Sequence, residues 1–155
     1  MQQPDDAAQT KELEFVTLVA GGQNFCIEIT QIREIRRWSP VTILPHSPDY
    51  VLGVINLRGA VIPIIDLAAK LGFPRIDPTE RHVIIIAAIE DCTIGLLVES
   101  VSEILGVKSD MVRETPKGTD DATTRAILGI IAMGDDMTKV INLATLLPNN
   151  DPVAA

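Results

Sequence analysis

The chain is short of aromatic residues, of cysteine and of positive charge, and each shortage excludes something. Phe, Trp and Tyr make up 3% of it, and 13 Lys and Arg stand against 21 Asp and Glu, for a net charge of −8. So acidic a chain offers neither the phosphate-neutralising surface nor the stacking platforms that nucleic-acid binding needs. Its two cysteines, Cys26 and Cys92, are too few for a disulfide framework and lack metal-ligand spacing. Both sit in apolar segments, where a free thiol behaves as a small buried hydrophobe. The longest purely apolar stretch, 83–89, falls well short of the about 20 residues that cross a bilayer. No basic region followed by an apolar run opens the chain, so neither a signal peptide nor membrane insertion is expected, and a cytoplasmic location is.

What is present is aliphatic. Hydrophobic residues are 46% of 155, enough for one packed domain and too many for disorder. Runs of Val and Ile alternate with turn residues, which predicts strands at 14–20, 25–29, 34–37, 52–57, 60–65, 81–89, 93–98, 102–105, 126–133 and 137–141. Hairpin turns fall at Gly21-Gly22, Arg58-Gly59, Glu90-Asp91-Cys92 and Gly134-Asp135-Asp136. Only short helices fit, at 67–71 and 143–147. Residues 1–12 and 149–155 read as tails around one domain, 13–148; 72–80 reads as a linker between two subdomains, and 108–124 as the most loop-like internal stretch.

An internal repeat organises these pieces. Residues 25–35 overlay 94–104 at an offset of 69, each copy ending in Glu-Ile (Glu34-Ile35 and Glu103-Ile104). Residues 53–72 overlay 129–148 at an offset of 76, with Gly53, Ile55, Ile65, Leu67, Ala68 and Leu71 meeting identical residues and Asp66 meeting Asn142. The change of offset puts an insertion in the second copy, most simply within 108–124. Two β-rich units, each closed into a small barrel by its own short helix, are expected, with a groove between them for binding.

The repeat also separates architecture from function: what both copies share belongs to the fold, and what one copy has alone is a candidate for a task. Asp66 and Asn142 each precede a short helix and are read as caps, not as catalytic groups. His46 and His82 have no nucleophile or second ligand at a useful spacing, and Asp120-Asp121 and Asp135-Asp136 read as turn residues. Arg58, by contrast, stands in a hairpin turn whose counterpart is Gly134. Its guanidinium is placed to grip a carboxylate of this chain or of a partner, and it fits a solvated surface position equally well. Arg33, Arg36 and Arg37 beside Trp38 form a basic patch of the composition that protein interfaces favour.

Ile32-Arg33-Glu34-Ile35, Thr42-Ile43-Leu44-Pro45, Gly53-Val54-Ile55-Asn56-Leu57-Arg58-Gly59 and Pro63-Ile64-Ile65-Asp66-Leu67 closely resemble the CheW-like family of bacterial chemotaxis coupling proteins. The resemblance continues through Gly95-Leu96-Leu97-Val98, Leu128-Gly129-Ile130 and Ile141-Asn142-Leu143, and covers about residues 14–148. It implies an all-β fold of two SH3-like five-stranded β-barrels and a non-catalytic adaptor with no cofactor and no metal. The implied partners are the cytoplasmic signalling tip of a chemoreceptor, the regulatory domain of the histidine kinase CheA, and other CheW-like chains in array rings. By the same resemblance Ile32, Glu34, Arg58, Val83, Val101 and Ile104 face the receptor. A pilus-motility or other non-flagellar chemosensory scaffold is the neighbouring alternative, and a small β-barrel enzyme the distant one.

Overall fold

The aliphatic runs form strands because β-branched side chains pack well on a pleated surface. In the computed structural model, which describes residues 11–114 and 125–147, they are β1 (Glu12–Ala20), β2 (Gln23–Glu28), β3 (Ile32–Arg37), β4 (Val51–Leu57), β5 (Ala60–Asp66), β6 (Val83–Ile89), β7 (Cys92–Val98), β8 (Ser100–Lys108), β9 (Val112–Arg113), β10 (Ile127–Met133) and β11 (Asp136–Ile141). A one-turn helix, α1 (Leu67–Lys70), follows β5, and a 3₁₀ turn, Leu143–Leu146, follows β11. Every expected strand is present within three residues of its expected ends. Glu12, expected in a tail, already pairs with Lys108, and β9 and a 3₁₀ turn at Ser109–Met111 lie where a loop was expected. Residues 1–10, 115–124 and 148–155, which include the rest of both tails and the Asp120-Asp121 pair, lie outside the described residues.

The protein is all-β, built as two small sheets of SH3-like plan. One has six strands in the order β8-β1-β2-β11-β10-β9, the last only two residues long; the other has five, β3-β6-β7-β5-β4. The expectation that each repeat unit closes its own barrel, with 72–80 between them, is corrected by this topology. Strands β3–β5 before that stretch and β6–β7 after it share one sheet. The chain changes sheets at Ile29–Gln31, a 3₁₀ turn, and at Glu99, so each copy lends its first hairpin to the other's strands.

The repeat nevertheless holds pair by pair. Phe15 opposes Glu28 as Ile84 opposes Leu97, Val16 opposes Ile104 as Ile35 opposes Ile85, and Gly129 opposes Val140 as Gly53 opposes Ile64. Even the parallel junctions match, Val140 with Cys26 and Ile64 with Gly95. An operation that exchanges both the copies and the sheets is its own inverse, and so is a pseudo-two-fold.

Burial on both faces explains the unbroken apolar run of β6. Ile84 and Ile86 join Leu52, Ile62, Ile64 and Leu97 inside the five-stranded barrel. Ile85 and Ala87 point the other way, into a layer between the sheets with Leu18, Phe25, Ile27, Ile65, Leu96, Ile141 and Leu146. Phe15, Cys26, Leu105, Val107, Ile131 and Val140 fill the six-stranded barrel. Each Val, Leu, Ile and Phe among them contributes about 1.5–3 kcal/mol on full burial. The largest of the three clusters is the shared one, so the two barrels cohere as one body.

Asp66 is fully buried and caps α1, its Oδ1 accepting the Ala69 N–H at 3.2 Å. Asn142 does the same for the second copy, accepting from Ala144 N–H at 3.2 Å. The carboxylate has a further use, because its Oδ2 accepts the Ile76 N–H at 3.1 Å. That bond, with Ile76 packed against the barrel core, fastens the stretch expected to be a linker.

Candidate interaction surface

β3 and β8 are edge strands of their sheets, and each carries a bulge at the same repeat position. In β3, Ile32 opposes Ala87 while Glu34 already opposes Ile86, leaving Arg33 as the extra residue. In β8, Ser102 and Glu103 together face Thr17, whose hydroxyl donates to the Glu103 carbonyl and accepts its N–H at 3.2 and 3.1 Å. An inserted residue shifts the two-residue alternation of a strand. Residues three apart therefore share a face: Ile32 with Ile35, and Val101 with Ile104. Their cross-strand partners Ala87, Ile85 and Leu18 belong to the inter-sheet layer, so this face adjoins that layer.

Four of the six expected site residues lie on this side of the sheets. Ile32, Val83 and Val101 are half-buried against the inter-sheet core. Ile104 continues the strip into solvent at 58% exposure. Ile35, not among the six, is its counterpart at 45% exposure. The signal was in the sequence: the repeat aligns Ile35 with Ile104, but period-two alternation puts Ile32 and Ile35 on opposite faces, and only the bulge reunites them.

Of the other two expected residues, Glu34 lies on the opposite face of β3 and Arg58 reaches it from the β4–β5 turn. Glu34 and Arg36 oppose Ile86 and Ile84, which point into the barrel. Arg58 Nη2 donates to Glu34 Oε1 at 2.7 Å, and Arg36 Nη1 lies 3.7 Å from Glu34 Oε2. β3 and β4 are the two ends of their sheet, so this trio ties the β4–β5 turn to β3 across the seam that the ladder leaves open. The carboxylate that Arg58 grips is thus on this chain, although its side chain keeps 73% exposure.

Arg58 holds that pose under strain. The two-residue turn has φ +52 at Arg58 and +89 at Gly59, the primed geometry in which Asn or Gly normally stands first. Asn56 Oδ1 steadies it by accepting the Gly59 N–H at 3.0 Å. At the equivalent place Gly134 adopts φ +62 without cost. A left-handed Arg costs roughly 1 kcal/mol, about what an exposed ion pair returns, so stability does not explain the choice of Arg.

The remaining features read as structure. Trp38 packs against the barrel core with Val41 and Ile55, and its N–H donates to the His82 carbonyl. His82 Nδ1 accepts the Thr79 N–H at 2.7 Å. Burial pushes the Cys26 thiol up to about 11, with the Thr138 hydroxyl pulling back only partly. Among the described residues no group of three His, Cys, Asp or Glu side chains is placed to hold a metal, and no helix is long and apolar enough to cross a membrane. An apolar cavity of about 330 Å³, lined by Leu44, Pro48, Pro63, Cys92, Ile94 and Leu147 among others, is built from residues outside the strip.

Two interlocked SH3-like barrels with aliphatic side chains bared along two edge strands have the make-up of a protein-binding module. The chain belongs to the CheW-like domain family, whose model matches residues 14–150. It is 47% identical over 142 residues to a probable chemotaxis protein CheW of Rhizobium etli, with 92% of each chain covered. It is 43% identical over 142 residues to the chemotaxis protein CheW of Rhizobium meliloti, again with 92% of each covered. The crystal structure of the scaffolding protein TtCheW from Thermoanaerobacter tengcongensis superposes with a TM-score of 0.78 at 27% identity, covering 86% of both chains. The family is therefore that of chemotaxis scaffold proteins.

Proposed function

We infer that this chain is a non-catalytic cytoplasmic adaptor coupling chemoreceptor signalling tips to the histidine kinase CheA. The observation that carries the reading is the apolar strip of half-buried Ile32, Val83 and Val101 with exposed Ile35 and Ile104, on the other face of β3 from the Arg58–Glu34 pair, in a chain of the CheW-like family. The strip takes an apolar helix face from the receptor tip. Ile35 and Ile104, roughly half bared, each add about 1 kcal/mol on burial, before the costs of association. Arg58, held by Glu34, sits at the β4–β5 turn with donors to spare for a partner's carboxylate. Other barrel surfaces meet the regulatory domain of CheA and further CheW-like chains in array rings.

The test is co-purification with a receptor tip fragment and with the regulatory domain of CheA. Ile35→Asp with Ile104→Asp should lower receptor capture at least tenfold and leave kinase-domain capture and the unfolding midpoint near wild type. Equal loss of both partners, or loss of neither, overturns the assignment of the strip.

A further inference from the structure

The ends of the apolar strip differ in charge, although the pseudo-two-fold makes them equivalent in position. Arg37 opposes Val83, so it stands on the same face as Ile35 and Ile32, at the outer end of β3. The repeat matches Arg37 to Gly106 and Val83 to Glu14, and Gly106 opposes Glu14 at the outer end of β8. A cation beside an apolar residue at one corner thus becomes an anion beside a bare backbone at the other. The neighbours reinforce the contrast, since exposed Arg81 is the counterpart of exposed Glu12. Both corners have moderating charges. Lys108 opposes Glu12, and Glu80 and Glu99 lie near Arg81, the latter with its Oε1 accepting the Gly22 N–H. Among the described residues neither Arg37 nor Glu14 has an ion-pair partner.

The acidic corner is also hollow. Glu12, Glu14, Gly106, Lys108 and Met111 are among the residues lining an open cavity of about 650 Å³. A side chain at Gly106 would meet nothing within 4 Å, so the space beside Glu14 is free to receive a long cation. Two-fold-related corners lie on opposite sides of the axis, and therefore at opposite ends of whatever lies across the strip.

We propose that this polarity fixes the direction of the bound receptor helix. The partner is an amphipathic helix whose apolar stripe covers Ile32, Ile35, Val101 and Ile104, with a carboxylate at the end meeting Arg37 and a Lys or Arg at the end meeting Glu14. The proposal rests on the strip being the helix-binding surface, and adds to it that Arg37 and Glu14 set orientation. Without them a pseudo-symmetric strip accepts a helix in either direction.

The test uses the full chain and a synthetic amphipathic helix of about 18 residues, with a Leu and Ile stripe, Glu in its first two turns and Lys in its last two. A photo-crosslinker is placed at one end or the other. The acidic end should crosslink to β3 near Arg37 and the basic end to β8 near Gly106. In Arg37→Glu with Glu14→Arg the two sites should exchange. Either single substitution should weaken binding about twofold to fivefold at about 50 mM salt, and less at high salt. Crosslinks that stay in place in the double variant, or that reach both corners equally in wild type, overturn the polarity alone. Crosslinks outside the strip, with affinity unmoved by Ile35→Asp and Ile104→Asp, overturn the underlying surface and the polarity with it.

Discussion

The two copies of the repeat use matching ladder registers, bulges and helix-cap positions, yet differ at most of their residues. Some shared positions answer to backbone geometry, and several unshared ones to charge. Gly53 and Gly129 are shared, and both lie where another segment crosses at close range. A Cβ at Gly53 would run into the Thr42 carbonyl oxygen, and one at Gly129 would come within 2.6 Å of that of Arg113. Arg58 and Gly134, Arg37 and Gly106, and Glu14 and Val83 are unshared, and in each pair one copy carries a charge where the other has none. A duplicated scaffold can vary only where no second backbone presses on it.

The largest loss is expected at the crossing glycines. Gly53→Val should cost at least about 4 kcal/mol in urea unfolding, because a clash with backbone adds to φ of +154. Gly129→Val should cost less, since only the clash applies. Equal and small losses in both would refute close approach as the reason for the shared glycine.

Next are the caps. Asp66→Ala removes the acceptor of two part-buried N–H groups and should cost about 2–3 kcal/mol, against about 1 for Asn142→Ala, which removes the acceptor of one. Thermal unfolding of the two variants measures the difference, and Asp66→Asn should recover only the capping share.

Cys26 and its counterpart Gly95 make a contrast in pH. The folded thiol stays neutral to about 11, whereas unfolded it ionises near 9.0, so the folded state holds the extra proton between those values. Its contribution is complete below about pH 9 and lost as pH rises through 11, about 2–3 kcal/mol in all. Wild type should thus lose stability faster than Cys26→Ala between pH 8 and 11; parallel urea midpoints would show the thiol is not held neutral.

The smallest effect is expected at the turn. Arg58→Gly gives the first copy the second copy's residue, relieving strain while losing the ion pair, and should change stability by less than about 0.5 kcal/mol. Receptor coupling in a motility or kinase assay should fall all the same. A stability loss of several kcal/mol would make Arg58 a structural strut.

Much of this was legible from composition and spacing because it is local chemistry. Strands follow from aliphatic alternation, caps from Asp66 and Asn142 before short apolar helices, and Arg58 from a single-copy cation in a turn. Ile32, Val83, Val101 and Ile104 were named by resemblance, and a common strip along one face is a product of the fold. Ile35 was missed because a bulge at Arg33 leaves no mark that separates it from an ordinary strand residue. The exchange of hairpins between sheets was missed because Glu99 and the turn at Ile29–Gln31 look like any tight connection.

Order along the chain dictates the strand set, the duplication and the residues that differ between copies, since each is a matter of neighbouring residues. Which strands share a sheet, which face a bulged side chain takes, and that Arg58 meets Glu34 were decided only in three dimensions. Those outcomes depend on pairings between residues 24 to 114 positions apart, where the burial of an inter-sheet layer outweighs any local preference.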